Sequence, residues 1–205
     1  MPAPRPPVRR TQAERRAHTR TALLDATIGL IAEVGYAAAT NRRIAEKAGS
    51  SLGALDHHFP TRLDLIVAAL DEVGQRVLAG LREQVTNLPT DPQRRLPAVL
   101  DAMWAVFDSE LFTVWVKVWI AAADDRALYD RLVPVEARIG SAIATARDAV
   151  TPAKLSAAQW NRDFTVVMDT MRGLALRLRV EPRSPSGADP WPGTRTALLH
   201  LIDRR

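Results

Sequence analysis

The chain contains no cysteine. That excludes a disulfide framework and any Cys-ligated zinc site, and it fits a reducing compartment such as the cytoplasm. No run of about 18 consecutive apolar residues occurs, so no membrane span and no membrane partner is expected. The basic residues near the N-terminus have no apolar stretch behind them, which argues against a secretory signal. Sustained alternation of apolar and polar residues is missing, so no sheet is expected, and no segment repeats. There is no glycine-rich phosphate loop, and no His, acid and nucleophile that helices would bring together. His200 and Asp203 lie one helical turn apart, a commonplace pair. An enzyme is therefore not expected. The adjacent His57 and His58 lack acidic or histidine companions at ligand spacing, so neither a metal nor another cofactor is called for.

What the chain does have is 205 residues, 47% hydrophobic and 25% charged, enough to bury a core in one large or two small domains. Its formal charge is +5, and the distribution matters more than the sum. Residues 1–62 hold ten Lys and Arg against five acids, while the remainder holds eighteen of each sign. A basic end beside a neutral body is the electrostatic footprint of a polyanion binder.

Within that basic end, Arg42 to Phe59 reads RRIAEKAGSSLGALDHHF. Ile44, Ala45 and Ala48 make one apolar stripe, and Leu52, Leu55 and Phe59 another, at the i, i+3 and i+4 spacings of helix faces. Gly49 stands where the first helix must stop and turn, and Ser51 can cap the second by accepting from its free N–H groups. This is the layout of a helix-turn-helix, whose second helix enters the DNA major groove.

Further signals divide the rest. Residues 1–10 are Pro-rich and basic, read as a disordered arm. Thr11 and Glu14 form a capping box that opens a long helix ending near Gly35. Thr40 or Asn41 starts the next helix, and Thr61 with Asp64 repeats the capping signature for a helix reaching about Val85. Asp91 and Pro92 start another, near 92–108. Helical patterns follow over roughly 110–122, 125–149, 156–180 and 193–203, with Ser156 and Gln159 as a further capping box. A Pro-rich loop spans Glu181 to Pro192. The expected architecture is all-α: a three-helix head over 11–60 and a larger helical bundle over 61–205.

From about Arg20 to Leu70 the chain resembles the TetR family of bacterial transcriptional regulators. The residues that carry the likeness are Leu24, Gly35-Tyr36, Thr40, Ile44-Ala45, Ala48-Gly49, Ser51, Gly53, Leu55, His58-Phe59-Pro60 and Leu65. The resemblance implies a DNA-binding head, a ligand-binding body, and a homodimer on a near-palindromic operator in double-stranded DNA. It also implies release of DNA when a small-molecule effector binds the body. Three positions depart from the family pattern: Asp56 stands where a phosphate-contacting Tyr is usual, Ser50 where a Val-like residue is usual, and Leu63 where an acid follows the cation at Arg62. Asp56, Ser50 and Leu63 keep a second reading open, a regulator-like ligand-binding or protein-interaction dimer that has lost DNA binding.

Under the first reading, phosphate positioning falls to Thr40, Arg42, Arg43, His57 and Arg62, with helix N-terminal amides assisting. Base readout falls to Ser51, Leu52, Gly53 and Ala54. Gly53 allows close backbone approach, and Leu52 suits a thymine methyl. His57 is expected to face outward and His58 to pack under Phe59. For the effector pocket the candidates are Met103, Trp104, Phe107, Trp115, Trp119, Met168, Met171 and Arg172, an apolar and adaptable set. Arg172 and Asp169 are candidate buried polar groups, and Lys117 is expected on a solvated face. Leu174, Leu178, Leu198, Leu199 and Ile202 supply the apolar stripe of a four-helix dimer interface.

Overall fold

The computed structural model describes residues 11–152, 154–180 and 188–203. The arm at 1–10 and most of the Pro-rich loop, 181–187, lie outside the described residues. Among the described residues every regular element is an α-helix: α1 (Gln12–Val34), α2 (Asn41–Lys47), α3 (Leu52–His58), α4 (Arg62–Thr86), α5 (Pro92–Phe107), α6 (Glu110–Ala122), α7 (Arg126–Asp148), α8 (Ala157–Val180) and α9 (Trp191–Asp203).

Local chemistry sets most of these starts. Thr11 accepts from the Glu14 amide while the Glu14 carboxylate accepts from the Thr11 amide, closing the box at the head of α1. Ser156 and Gln159 do the same before α8. Asp91 accepts from the Gln93 amide with Pro92 at the first turn of α5. Pro97 and Pro134 lie inside α5 and α7 without ending them. Only α9 begins clearly earlier than its pattern suggests, because the Asp189 carboxylate takes the Trp191 amide at 2.9 Å.

The chain groups into two compact units, and the divisions fall inside α4, α6 and α7. The first comprises Met1–Val73 and Val114–Leu132. Its core joins Leu23 and Ile31 of α1, Ile44 of α2, Leu55 of α3, and Leu65 and Leu70 of α4, all fully buried. The second comprises Gly74–Thr113 and Val133–Arg205. There α5 packs on α8 and α9, and Leu100, Trp160, Val167 and Met171 are buried.

Cations of the two units act on helix ends. Lys117 of α6 is half-buried and its Nζ donates to the Ala32 carbonyl in the last turn of α1. The solvated position expected for it is therefore corrected: an ammonium there meets both the unpaired carbonyls and the negative end of the α1 dipole. In the second unit, Arg179 of α8 donates to the carbonyls of Phe107 and Ser109, both at 2.8 Å, and to the Thr113 hydroxyl. It thereby ties the α5–α6 turn to α8 and lies 5.4 Å over the Phe112 ring. Burial lowers the pKa of this guanidinium, and Asp108 opposes that effect.

Candidate nucleic-acid interface

The turn between α2 and α3 is built by backbone geometry. Gly49 adopts φ +62°, a left-handed conformation that other L residues enter at a cost. The Gly49 amide donates to the Glu46 carbonyl at 3.0 Å and the Ser50 amide to the Ala45 carbonyl at 2.9 Å. This bond pair is a Schellman motif, in which the residue after the glycine usually adds an apolar contact back to the helix. Ser50, a polar residue, stands at the position of that contact. Ser51 then caps α3, its Oγ accepting from the Ala54 amide at 3.1 Å. Thr40 caps α2 in the same way, accepting from the Arg43 amide at 3.4 Å.

These two caps and the buried Leu55 and Phe59 fix which side of α3 faces out. Leu52, Gly53, Asp56 and His57 are exposed, while Ala54 and His58 are half-buried. Leu52, at 48% exposure, is therefore not part of the inward stripe with Leu55 and Phe59 and is free to meet a base edge. Nothing lies within 4 Å of where a Cβ on Gly53 would stand, so the backbone there is open to close approach.

Cations surround this face. Arg42 and Arg43 are exposed, and the Arg43 guanidinium also donates to the Ala38 carbonyl at 3.1 Å. Arg20 of α1 lies 5.5 Å over the Phe59 ring at the end of α3. The His58 ring sits tilted against Phe59 with centroids 6.2 Å apart. Burial pushes the His58 imidazole below its ordinary pKa, and neighbouring Arg16, His57 and Arg20 act in the same direction. Arg16 and Arg20 were missed by sequence reasoning, although their i, i+4 spacing ahead of the apolar part of α1 marks an exposed basic stripe.

Arg62 departs from its expected phosphate role. Its guanidinium donates to the carbonyls of Ala39 and Tyr36, both at 2.6 Å, and lies 4.9 Å over the Tyr36 ring. The fork of an Arg suits two acceptors on one loop, so this residue positions the entry to α2. Lys47 is likewise engaged, paired with Glu33 of α1.

The effector candidates separate into two places. Trp115 and Trp119 lie in the first unit, edge-to-face at 6.2 Å, and Trp119 meets Tyr129 at 5.7 Å. The Trp119 Nε1 is buried without a hydrogen-bond acceptor among the described residues. Met103, Trp104, Phe107, Met168, Met171 and Arg172 lie in the second unit. Trp104 stacks on Trp191 at 4.8 Å, and the Trp191 Nε1 donates to Asp101 at 2.8 Å, where Arg195 also pairs. Met103, Phe107 and Met171 are core, and Met168 is half-buried. Arg172 is corrected from a buried group to an exposed one, paired with Asp169 at 3.4 Å within a single helix turn.

The interface candidates need a similar correction. Leu174, Leu198 and Ile202 are buried within the chain itself, and Leu178 and Leu199 are half-buried. Packing of α5 against α8 and α9 takes up that stripe. The large apolar side chains left outward on α8 and α9 are Val166, Val180 and Leu201.

Comparison with known proteins agrees with this picture. Residues 23–69 match the model of the family described as bacterial regulatory proteins, tetR family. An HTH-type transcriptional regulator of Mycobacterium tuberculosis is 36% identical over 145 residues, covering 71% of this chain and 74% of the relative. The HTH-type transcriptional regulator CymR of Pseudomonas putida is 33% identical over 122 residues, 60% of each chain. Among solved structures, a TetR-family transcriptional regulator from Rhodococcus sp. superposes with a TM-score of 0.65 at 26% identity, over 90% of this chain and 97% of that one. A transcriptional regulator from Saccharomonospora viridis shares the fold, with a TM-score of 0.72 at 19% identity over 91% and 96%.

Proposed function

Because this chain belongs to the TetR family of bacterial transcriptional regulators, with a DNA-binding helix-turn-helix, we propose that it is a ligand-responsive repressor acting as a homodimer on a near-palindromic operator. The observation that carries this reading is the outward face of α3, where Leu52 and Gly53 stand free beside the arginines of α1 and α2. Phosphates are met by Thr40, Arg42, Arg43 and His57, with Arg16 and Arg20 added, and base edges by Ser51, Leu52, Gly53 and Ala54. The head spans 11–60, and residues 61–205 carry effector binding and dimerisation.

For the dimer, the outward side chains Val166, Val180 and Leu201 on α8 and α9, with half-buried Leu178 and Leu199, supply the apolar surface. Two helices from each chain then make a four-helix interface under two-fold symmetry, which fixes half-site spacing. For the effector, the unsatisfied Nε1 of Trp119 supports a small molecule that brings an acceptor oxygen to it, since a buried donor without a partner is costly. The Saccharomonospora protein of this fold was solved in complex with choline, which supports a small-molecule effector for the fold. Effector binding respaces the two heads and releases DNA.

A second reading, a dimer without DNA binding, is favoured by Asp56, whose carboxylate is exposed on the very helix that would approach a polyanion. Enrichment of duplexes from a random pool by wild-type protein separates the two. The repressor reading expects one palindromic sequence class bound by two chains per duplex. Recovery of binding only in Asp56→Tyr would instead favour the second.

A further inference from the structure

The carboxylate of Asp56 is exposed on α3. Asp56 follows Leu52 by four residues on the outward face of α3, so the two side chains share one stripe. Leu55 and Phe59 are buried. The Asp56 side chain makes no hydrogen bond or ion pair among the described residues. Among the described residues no cation pairs with Asp56: the Arg43 guanidinium donates to Ala38, Arg62 to Tyr36 and Ala39, and Arg20 lies over Phe59. Asp56 is thus held free on the part of α3 that presents Leu52 and Gly53, while the cations suited to phosphates stand on α1 and α2.

The geometry points to Asp56 as a base-reading residue that accepts from the exocyclic amine of cytosine in the major groove. A carboxylate is an acceptor only. Guanine presents two acceptors in that groove and thymine an acceptor and a methyl group, so both repel it or leave it unpaired. Adenine offers an amine but sets the N7 acceptor beside it. Cytosine alone presents only a donor on its own edge, the acceptors of the pair lying on guanine. Four residues of helix advance about 6 Å, which is about two base-pair steps of DNA. With Leu52 against a thymine methyl, the cytosine read by Asp56 therefore falls within about two steps of that thymine in each half-site.

This rests on α3 being the helix that enters the groove, and the experiment keeps the two ideas apart. Duplexes are enriched from a random pool by full-length wild-type protein, Asp56→Ala and Asp56→Asn, with circular dichroism confirming that each folds. Wild type is expected to enrich a C·G pair near a T·A pair in each half-site. Changing that C·G pair should weaken wild-type binding about tenfold and Asp56→Ala binding less than about twofold. Asp56→Asn should shift the preference at that pair toward A·T, because an amide pairs with both the amine and the N7 of adenine. The inference is overturned if Asp56→Ala enriches the same motif with the same discrimination. It is equally overturned if Asp56→Asn binds every sequence more tightly with the motif unchanged, which would place the carboxylate against a phosphate. If neither wild type nor any variant enriches DNA, the groove-entry reading itself falls, and this one with it.

Discussion

Replacing Arg62 by alanine tests whether this cation grips the DNA or the protein. Its guanidinium joins two carbonyls at 2.6 Å, on Tyr36 and Ala39, across the loop that leads into α2. A hydrogen bond to a charged group contributes about 1.5–3 kcal/mol, so two in a dry site would approach about twice that. The site is only half-buried, and water can reach the freed carbonyls. A loss of about 2–3 kcal/mol is therefore expected for Arg62→Ala, including the contact with the Tyr36 ring at 4.9 Å. Arg62→Lys should recover about half of it, because a single ammonium cannot reproduce the fork. Urea unfolding with an unchanged m-value measures the loss directly. Binding of the same variant to operator DNA at several salt concentrations supplies the second half of the test. A positioning role weakens binding while leaving the salt slope unaltered, whereas a lost phosphate contact lowers the slope by about one. A stability change below about 0.5 kcal/mol together with a reduced slope would refute the reasoning.

Three other outcomes follow from the geometry. Arg179→Ala should cost about 2–4 kcal/mol in thermal or urea unfolding, because the carbonyls of Phe107 and Ser109 lose their donor, and Arg179→Lys should restore part of it. Leu174→Ala should cost about 2–4 kcal/mol because this side chain is core, whereas Val166→Asp should leave the chain folded but shift sedimentation from dimer to monomer. The folded state holds the pKa of His58 below the ordinary value of 6.5, so the unfolded chain takes up the proton first as pH falls. Stability attributable to this residue is complete above pH 6.5 and is lost as pH drops from there through the lowered pKa; His58→Gln should flatten that part of a stability–pH profile.

The parts of the fold legible in the sequence are those that local chemistry decides. The Thr11–Glu14 and Ser156–Gln159 boxes, Asp91 with Pro92, and Gly49 at a positive φ each satisfy backbone groups within a few residues, so their spacing alone marks a helix end. The face of α3 was legible only in part: Leu55 and Phe59 are core as their spacing suggests, but Leu52, which shares that spacing, is exposed. Contacts over long separations were not. Arg62 reaches 23 and 26 residues back to Ala39 and Tyr36, and Trp191 reaches 90 residues to Asp101. No local pattern distinguishes a phosphate-binding arginine from one that clamps a loop. The apolar stripe on α8 and α9 was visible, but periodicity does not say whether its residues meet their own chain or a second copy. Leu174, Leu198 and Ile202 meet their own chain, leaving Val166, Val180 and Leu201 outward.

The most direct test of the account is binding of the full-length chain to its enriched duplex, titrated against salt, beside a scrambled duplex and the Arg43→Ala variant. The account predicts two chains per duplex, a preference over the scrambled sequence of about a thousandfold or more, and a linear fall of log affinity with log salt. Arg43→Ala should weaken binding to both duplexes alike and reduce the slope by about one for each phosphate contact removed. Equal affinity for the enriched and scrambled duplexes, or a slope that Arg43→Ala leaves unchanged, would contradict it.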